Sequence, residues 1–396
     1  MANLKTNIQQ LAKDFFTETV EIRRHLHQNP ELSFEEFETS AFIKQRLDEL
    51  GISYQVMATT GIVGLIHGTL ASDKVIALRA DMDALPITEV EGRTYGSTNP
   101  GIMHACGHDV HTASLLGVAK ILQALKHTFG GTIKLIFQPG EERLPGGASL
   151  MIQEGVLENP VPTAVIGQHV MPFIEVGKVG FRSGQYMASC DELFMTIKGK
   201  GGHGAQPHQN IDPIAITAQI ITALQQIVSR VADPRIPTVL SWGKILGHGA
   251  TNIIPDEVYL EGTFRTFNEE WRTQAHQKMV KMAVGIAESM GASCSFEVRK
   301  GYPFLVNEPK LTEQARSYAK EYLGDANVVE LELWPAAEDF AYYSQEANAC
   351  FYRLGTGNKA KGIDSAVHTP TFDIDEDALA LSIGLMAYIT IKQLSE

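Results

Sequence analysis

Apolar residues recur at helical spacing through TVEIRRHLHQNPELSFEEFETSAFIKQRLDELG, interrupted at Pro30 and stopped at Gly51, which predicts two helices in succession. Two short apolar runs follow, GIVGLIHG and KVIALRADMDALP. Both are rich in β-branched residues and bounded by turn formers, and both predict strands. A helix is expected over HTASLLGVAKILQALK, with Asp109 as its candidate cap, then strands over GTIKLIFQPGEE and TAVIGQHV. Strands alternating with helices place this part of the chain in the α/β class, a mostly parallel sheet flanked by helices.

The pattern changes near Asp191. DELFMTIKGKG predicts a strand, IDPIAITAQIITALQQIVSR a helix, TVLSWGKILG and EVYLEGTFRTF two strands, EEWRTQAHQKMVKMAVGIAESMG a helix, and SFEVRKGYP a last strand. This βαββαβ order is that of a ferredoxin-like α+β module, which can fold as an insert. After Pro303, EPKLTEQARSYAKEYLG, NACFYRLG and DALALSIGLMAYITIKQLSE return to alternating helix and strand. The expected division is residues 1–187 with 301–396 as one domain, interrupted by 188–300 as the other.

The 396 residues suffice for two domains with substantial cores. Lys and Arg number 33 against 46 Asp and Glu, a net charge of -13 that suits no partner bound through phosphate neutralisation, so nucleic acid is not expected. The start, MANLKTNIQQLAKDFF, lacks the apolar run of a signal peptide, and no stretch approaches the 18 or more apolar residues of a span. The expectation is a soluble, cytoplasmic protein with no membrane partner. Cys106, Cys190, Cys294 and Cys350 are too few and too scattered for a disulfide framework, so each needs its own explanation.

GIMHACGHDV gathers candidate ligands in one turn, with Cys106 and His108 two residues apart and His111 close behind. Thiolate and imidazole both bind zinc and similar ions, although C-G-H alone also fits a loop holding an inert cysteine. LIFQPGEE ends a strand on adjacent Glu141 and Glu142, at the carboxyl end where open α/β sheets place their sites. If one carboxylate anchors a cation, its neighbour points elsewhere and can carry a proton; a solvated acidic turn is the bland alternative. VIGQHV delivers His169 to another strand end, and AVHTPTFDIDE puts His368 before Pro370. In ALRADMDALP, Asp81 and Asp83 lie on one side, where either could orient a ligand histidine or merely occupy a turn.

Taken together, LHQNPELSFEE, RADMDALPI, MHACGHDVHTA, FQPGEE, GGHGAQPH, TNIIPDEVYLEGTFRTF, EDFAYY and HTPTFDID resemble the amidohydrolase branch of the dinuclear-zinc aminoacylase and carboxypeptidase superfamily. That branch includes hippurate hydrolases, N-acyl-L-amino-acid amidohydrolases, plant indole-acetyl-amino-acid hydrolases and N-acetyl-diaminopimelate deacetylases. The resemblance runs in order over nearly the whole chain. It implies that Cys106, His108, Glu142, His169 and His368 are ligands of two divalent ions, with the Cys106 thiolate bridging. It also implies that Glu141 is the general base and Asp83 the helper aspartate. Asp81 stands where other branches carry a histidine ligand, which leaves open zinc, the first choice for a soft thiolate, against manganese, nickel or cobalt. Arg143 departs from the small residue expected after the Glu pair and could reshape the pocket rim.

By the same resemblance, 188–300 is a lid and dimerisation domain, and the protein a homodimer or dimer-based oligomer. His203 matches a histidine that reaches the active site, that of the neighbouring subunit, while Asn252 and Arg265 match residues that hold the substrate. The planar fork of Arg265 suits the free carboxylate of an N-acyl amino acid. The implied activity is metal-dependent hydrolysis of N-acyl amino acids to a carboxylic acid and a free amino acid. A metallo-aminopeptidase or dipeptidase is the nearest alternative. More distant ones are a hydrolase with Cys106 as nucleophile and a non-catalytic binding protein on the same fold.

Overall fold

The computed structural model describes residues 2–396, with side chains from Leu4 onward. The chain divides into two compact units, one of Met1–Gly184, Val306–Leu333 and Tyr342–Glu396, the other of Gln185–Leu305 and Trp334–Ala341. The eight residues Trp334–Ala341 correct the expectation that everything beyond 300 returns to the first domain. Backbone bonding is the reason: Ala188 N–H donates to the carbonyls of Trp334 and Ala336, and Arg265 Nη1 donates to that of Pro335.

The first unit is built on an eight-stranded sheet. Leu70–Asp81 lies between Gly130–Gln138 and Ala164–Glu175, parallel to both, and Ala349–Gly357 runs parallel to Ala164–Glu175 on its far side. Ser53–Met57 and Gly61–His67 extend one edge antiparallel; Val179–Phe181 and Val328–Glu330 extend the other. The fold is therefore mixed α/β with a mostly parallel central sheet. Its middle strands are covered on both faces, which is why Ala349–Gly357 is buried at every position and reads as apolar without alternation.

Helices His108–Ala124 and Ala378–Ser395 pack on each other and on this sheet, sharing a core with Leu78, Leu135 and Ile166. Ala378–Ser395 and Pro213–Val231 are long and apolar enough to cross a membrane, which corrects the expectation that no stretch approaches that length. Most of Ala378–Ser395 lies buried in the core, and a core helix must be apolar all round for the same reason a spanning one must.

The second unit contains a four-stranded antiparallel sheet, in the order Thr238–Leu246, Glu257–Thr266, Asp191–Lys198, Ser293–Lys300. Along Asp191–Lys198 burial alternates, and Leu193, Met195 and Ile197 face two helices. Those helices are Pro213–Gln226, whose cap Asp212 accepts the Ile214 and Ala215 N–H groups, and Glu269–Ser289, capped by Asn268. Pro213–Val231 turns Ile216, Ile220 and Leu224 inward and leaves Gln219, Gln225 and Arg230 exposed, the mark of an amphipathic surface helix.

Candidate active site

Leu70–Asp81 and Gly130–Gln138 run in register with Asp81 opposite Gln138, so both chains leave the sheet at one level. Asp83 follows the first strand. Glu141 and Glu142 follow the second after a Pro139–Gly140 turn. His169 does not end its strand as expected, because Ala164–Glu175 continues beyond it. Pairing with Leu70–Asp81 nevertheless stops at Gly167, leaving His169 paired only with Arg353 on the other side.

Cys106 reaches the same place through a glycine. Gly107 holds φ 85° where the helix His108–Ala124 begins, and a Cβ there would come 2.6 Å from Val170 Cγ2. Only glycine lets this turn lie against the strand that carries His169. Asp109 does not cap the helix, since the cap position is Gly107 with no side-chain bond. Instead Asp109 is buried and accepts from Arg23 Nε and His27 Nδ1, both at 2.8 Å. Burial there opposes ionisation, but Arg23 and His27 outweigh it and hold the carboxyl below its usual range.

The five residues expected as metal ligands come together in the first unit. Cys106 Sγ lies 3.4 Å from His169 Nε2 and 3.3 Å from His368 Nε2. Cys106 with His108 and His169 forms one triad of converging ligand atoms, and Cys106 with Glu142 and His368 forms a second. One thiol shared by two triads is an arrangement that suits two bridged cations. His108 Nε2 and Glu142 Oε1 are buried without a hydrogen-bond partner, 4.0 Å apart. His368 Nε2 comes within 3.2 Å of that same oxygen without hydrogen-bond geometry. Buried polar atoms are rarely left orphaned, so the donor set fits a pair of divalent ions. His368 sits at φ 62°, uncommon for a residue with a side chain, and its N–H donates to the Ala105 carbonyl.

The electrostatics also call for positive charge. Burial, with Glu142 and Glu141 next, pushes the Cys106 thiol well above its normal range, so a thiolate there needs a cation beside it. At His108 burial favours the neutral ring, but Asp81 and Asp83 prevail and raise it to about 10 when no cation competes. His169 is held well below its usual value, by burial first and then by Arg353, and so stays neutral, the form in which an imidazole can bind a metal.

A set of partners fixes these ligands. Asp83 Oδ1 accepts from His108 Nδ1 at 3.2 Å and from the Glu141 N–H at 3.0 Å, while Oδ2 accepts from the Glu142 N–H at 3.0 Å and Ser33 Oγ at 2.6 Å. Burial opposes the Asp83 charge, but its bonds, that from His108 foremost, bring it below the ordinary carboxylate range. Asp81 is held lower still, burial being overcome by Arg79 and by His108 and His111. Asp81 therefore orients histidines from behind. Sequence reasoning assigned no role to Arg79, which donates to Asp81 and Gln138 from within the sheet, or to His111. A buried arginine two residues before an aspartate in an apolar strand was the available signal.

Glu141 is buried, with Oε2 4.0 Å from His108 Nε2, close to the ligand cluster but outside both Cys106 triads. Arg143 is exposed. In the second unit His203 belongs to a two-residue strand, Gly202–His203, paired with Ile253–Ile254. His203 is opposite Ile253, next to Asn252, whose carbonyl accepts the Gly204 N–H, and both His203 and Asn252 side chains are exposed. Arg265 lies partly exposed on Glu257–Thr266.

Residues 77–392 match the model of peptidase family M20/M25/M40. The chain is 43% identical over 374 residues to the N-acetyl-L-cysteine deacetylase of Bacillus subtilis, covering 94% of this chain and 87% of that one. It is 45% identical over 304 residues to the N-acyl-L-amino acid amidohydrolase of Geobacillus stearothermophilus, covering 76% and 81%. The crystal structure of the Bacillus subtilis YXEP protein, described as a dinuclear metal binding peptidase of the M20 family, superposes with a TM-score of 0.83 at 36% identity, covering 97% of this chain and 99% of that one. With the thiol shared between two ligand triads, these likenesses show that the chain belongs to the M20/M25/M40 peptidase family and is a metal-dependent amidohydrolase.

Proposed function

We propose that the protein hydrolyses the amide bond of N-acyl amino acids, releasing a carboxylic acid and a free amino acid. The observation that carries this reading is the carboxylate pair behind Gly140, in which Glu142 belongs to the Cys106 and His368 triad and Glu141 does not. Cys106, His108, Glu142, His169 and His368 would hold two divalent ions, zinc in the first instance, with manganese, nickel or cobalt as alternatives. When bound, such ions polarise a carbonyl and lower the pKa of water from about 15.7 toward roughly 7.

Glu141, outside both Cys106 triads, takes a proton from water as its oxygen attacks the acyl carbon. It returns that proton to the nitrogen as the C–N bond breaks, so the acid and the amine leave with atoms balanced. Asp83 keeps the backbone of both glutamates fixed while this happens. His203 is assigned to the developing oxyanion, a role worth about 3–4 kcal/mol for donors of this kind. Asn252 and Arg265 are assigned to the substrate, Arg265 to its carboxylate. We place the protein in the cytoplasm as a homodimer or dimer-based oligomer joined through the second unit.

Peptide hydrolysis is the second reading, favoured by the description of the Bacillus subtilis YXEP protein as a peptidase. A Cys106 nucleophile is disfavoured, because its thiol is buried and held protonated. The test is amino-acid release from a panel of N-acyl amino acids and dipeptides, by enzyme stripped with chelator and by enzyme reloaded with each metal. Metal-dependent release from acylated amino acids supports the proposal. Preference for dipeptides selects the second reading, and activity indifferent to metal sinks both.

A further inference from the structure

Glu36 lies between helices Phe16–Gln28 and Phe37–Glu49 and is completely buried, yet no role for it follows from the metal centre itself. Its Oε1 accepts two backbone N–H groups, from Phe34 at 2.9 Å and from Gly140 at 2.8 Å. Its Oε2 accepts from Thr60 Oγ1 at 2.8 Å. The next two N–H groups along the chain, those of Glu141 and Glu142, belong to Asp83. Three consecutive amides of the glutamate loop are thus anchored on two buried carboxylates, and Ser33 ties the Glu36 segment to Asp83 as well.

The fit between the two segments is tight. Phe34 and Gly140 both hold left-handed backbone, at φ 68° and 56°. A Cβ on Gly140 would stand 2.3 Å from the Phe34 ring, so the loop lies directly on that ring. Asp83 fixes Glu141 and Glu142 and the Gly147 N–H holds the Gly140 carbonyl, while Glu36 is the acceptor of the Gly140 N–H that precedes them.

We propose that Glu36 is a positioning residue for Glu141: by holding the Gly140 N–H it fixes the backbone from which the base projects. The inference rests on the reading of Glu141 as the general base. Burial, with Asp83 adding to it, raises the Glu36 carboxyl to about 7, and the geometry tolerates either protonation state. Oε1 accepts in both, while the Thr60 hydroxyl donates to the carboxylate or accepts from the acid. A glutamine can reproduce the acid form; methionine and alanine cannot accept.

The experiment compares wild type, Glu36→Gln, Glu36→Met and Glu36→Ala in the metal-loaded enzyme. It reads kcat, KM, metal content and amide hydrogen exchange in peptides covering Gly140–Glu142. The Met and Ala variants should lose about 10–100-fold in kcat, the scale of a misplaced group, with KM and metal content nearly unchanged and faster exchange in the loop. Gln should restore both. Wild-type exchange and kcat in whichever of Met or Ala folds overturns the proposal, and so does a Gln variant as damaged as Met. If wild type hydrolyses none of the panel, the functional reading fails separately, and exchange alone decides whether Glu36 holds the loop.

Discussion

His111 Nδ1 lies 2.5 Å from Asp81 Oδ1, and its other nitrogen, Nε2, accepts the Val170 N–H at 3.0 Å. Accepting at Nε2 forces the proton onto Nδ1, so the ring is neutral and donates to Asp81. The same residue, Val170, accepts from His169 Nδ1 at 2.7 Å through its carbonyl. One peptide residue therefore transmits the orientation of Asp81 and His111 to His169, a candidate ligand, leaving its Nε2 free to face Cys106. Asp81 and His111 also form a converging triad with His108, but His111 has no nitrogen left for an ion.

This relay predicts that His111→Ala weakens metal binding by about 10–100-fold, the usual cost of losing an outer partner of a ligand histidine. Metal titration of the stripped protein measures it. Unchanged affinity with a native fold would remove His111 from the set of groups that hold the site.

Glu141→Gln should keep its metals and thermal stability but lose about 10²–10⁴-fold in kcat, the range of a positioned general base. Metal analysis beside steady-state kinetics checks both halves. A Gln variant that turns over normally would make Glu141 a bystander.

Metal binding should release protons. Without a cation the Cys106 thiol is protonated and His108 is charged at neutral pH, since one is pushed well up and the other to about 10. Both must deprotonate to bind, so affinity rises with pH through the neutral range, by up to about two decades per pH unit. Titrations at pH 6, 7 and 8 in a weakly buffered solution would show it; pH-independent binding would mean the ligands are already deprotonated.

Asp109 supports the fold behind the site. Replacing it by Ala removes the 2.8 Å partner of the wholly buried Arg23, which keeps Asp373 and Glu376, so the loss should fall below the about 3–5 kcal/mol of a buried charge left fully unpaired. Because its folded-state pKa is depressed, Asp109 contributes stability above the unfolded value of about 3.9, and that contribution fades as pH falls below it. Unfolding of wild type and Asp109→Asn at pH 7 and pH 3 should show the gap narrowing in acid. A gap that widens would reverse the sign of this linkage.

The strands and helices around the site were legible because their periods are local. Continuous apolar runs marked the covered strands, and the alternation in DELFMTIK marked a sheet with one buried face. The same local reading failed at Asp109, which has the sequence position of a cap but whose partners Arg23 and His27 lie on a different helix. It also failed to assign Glu36, since nothing near it in sequence reveals that its acceptor oxygen meets Gly140, 104 residues away.

The chemistry on offer was readable along the chain: a thiol, imidazoles and adjacent carboxylates, in an order that resembles one family. Residue type and spacing suffice for that, because ligand chemistry belongs to side chains, although the strand carrying His169 runs on to Glu175. Packing alone makes Cys106 common to two triads, and spends His111 on Asp81 and Val170 rather than on an ion. Those outcomes depend on contacts between segments as far apart as Cys106 and His368, whose distance is set by packing of the whole sheet and not by any local pattern.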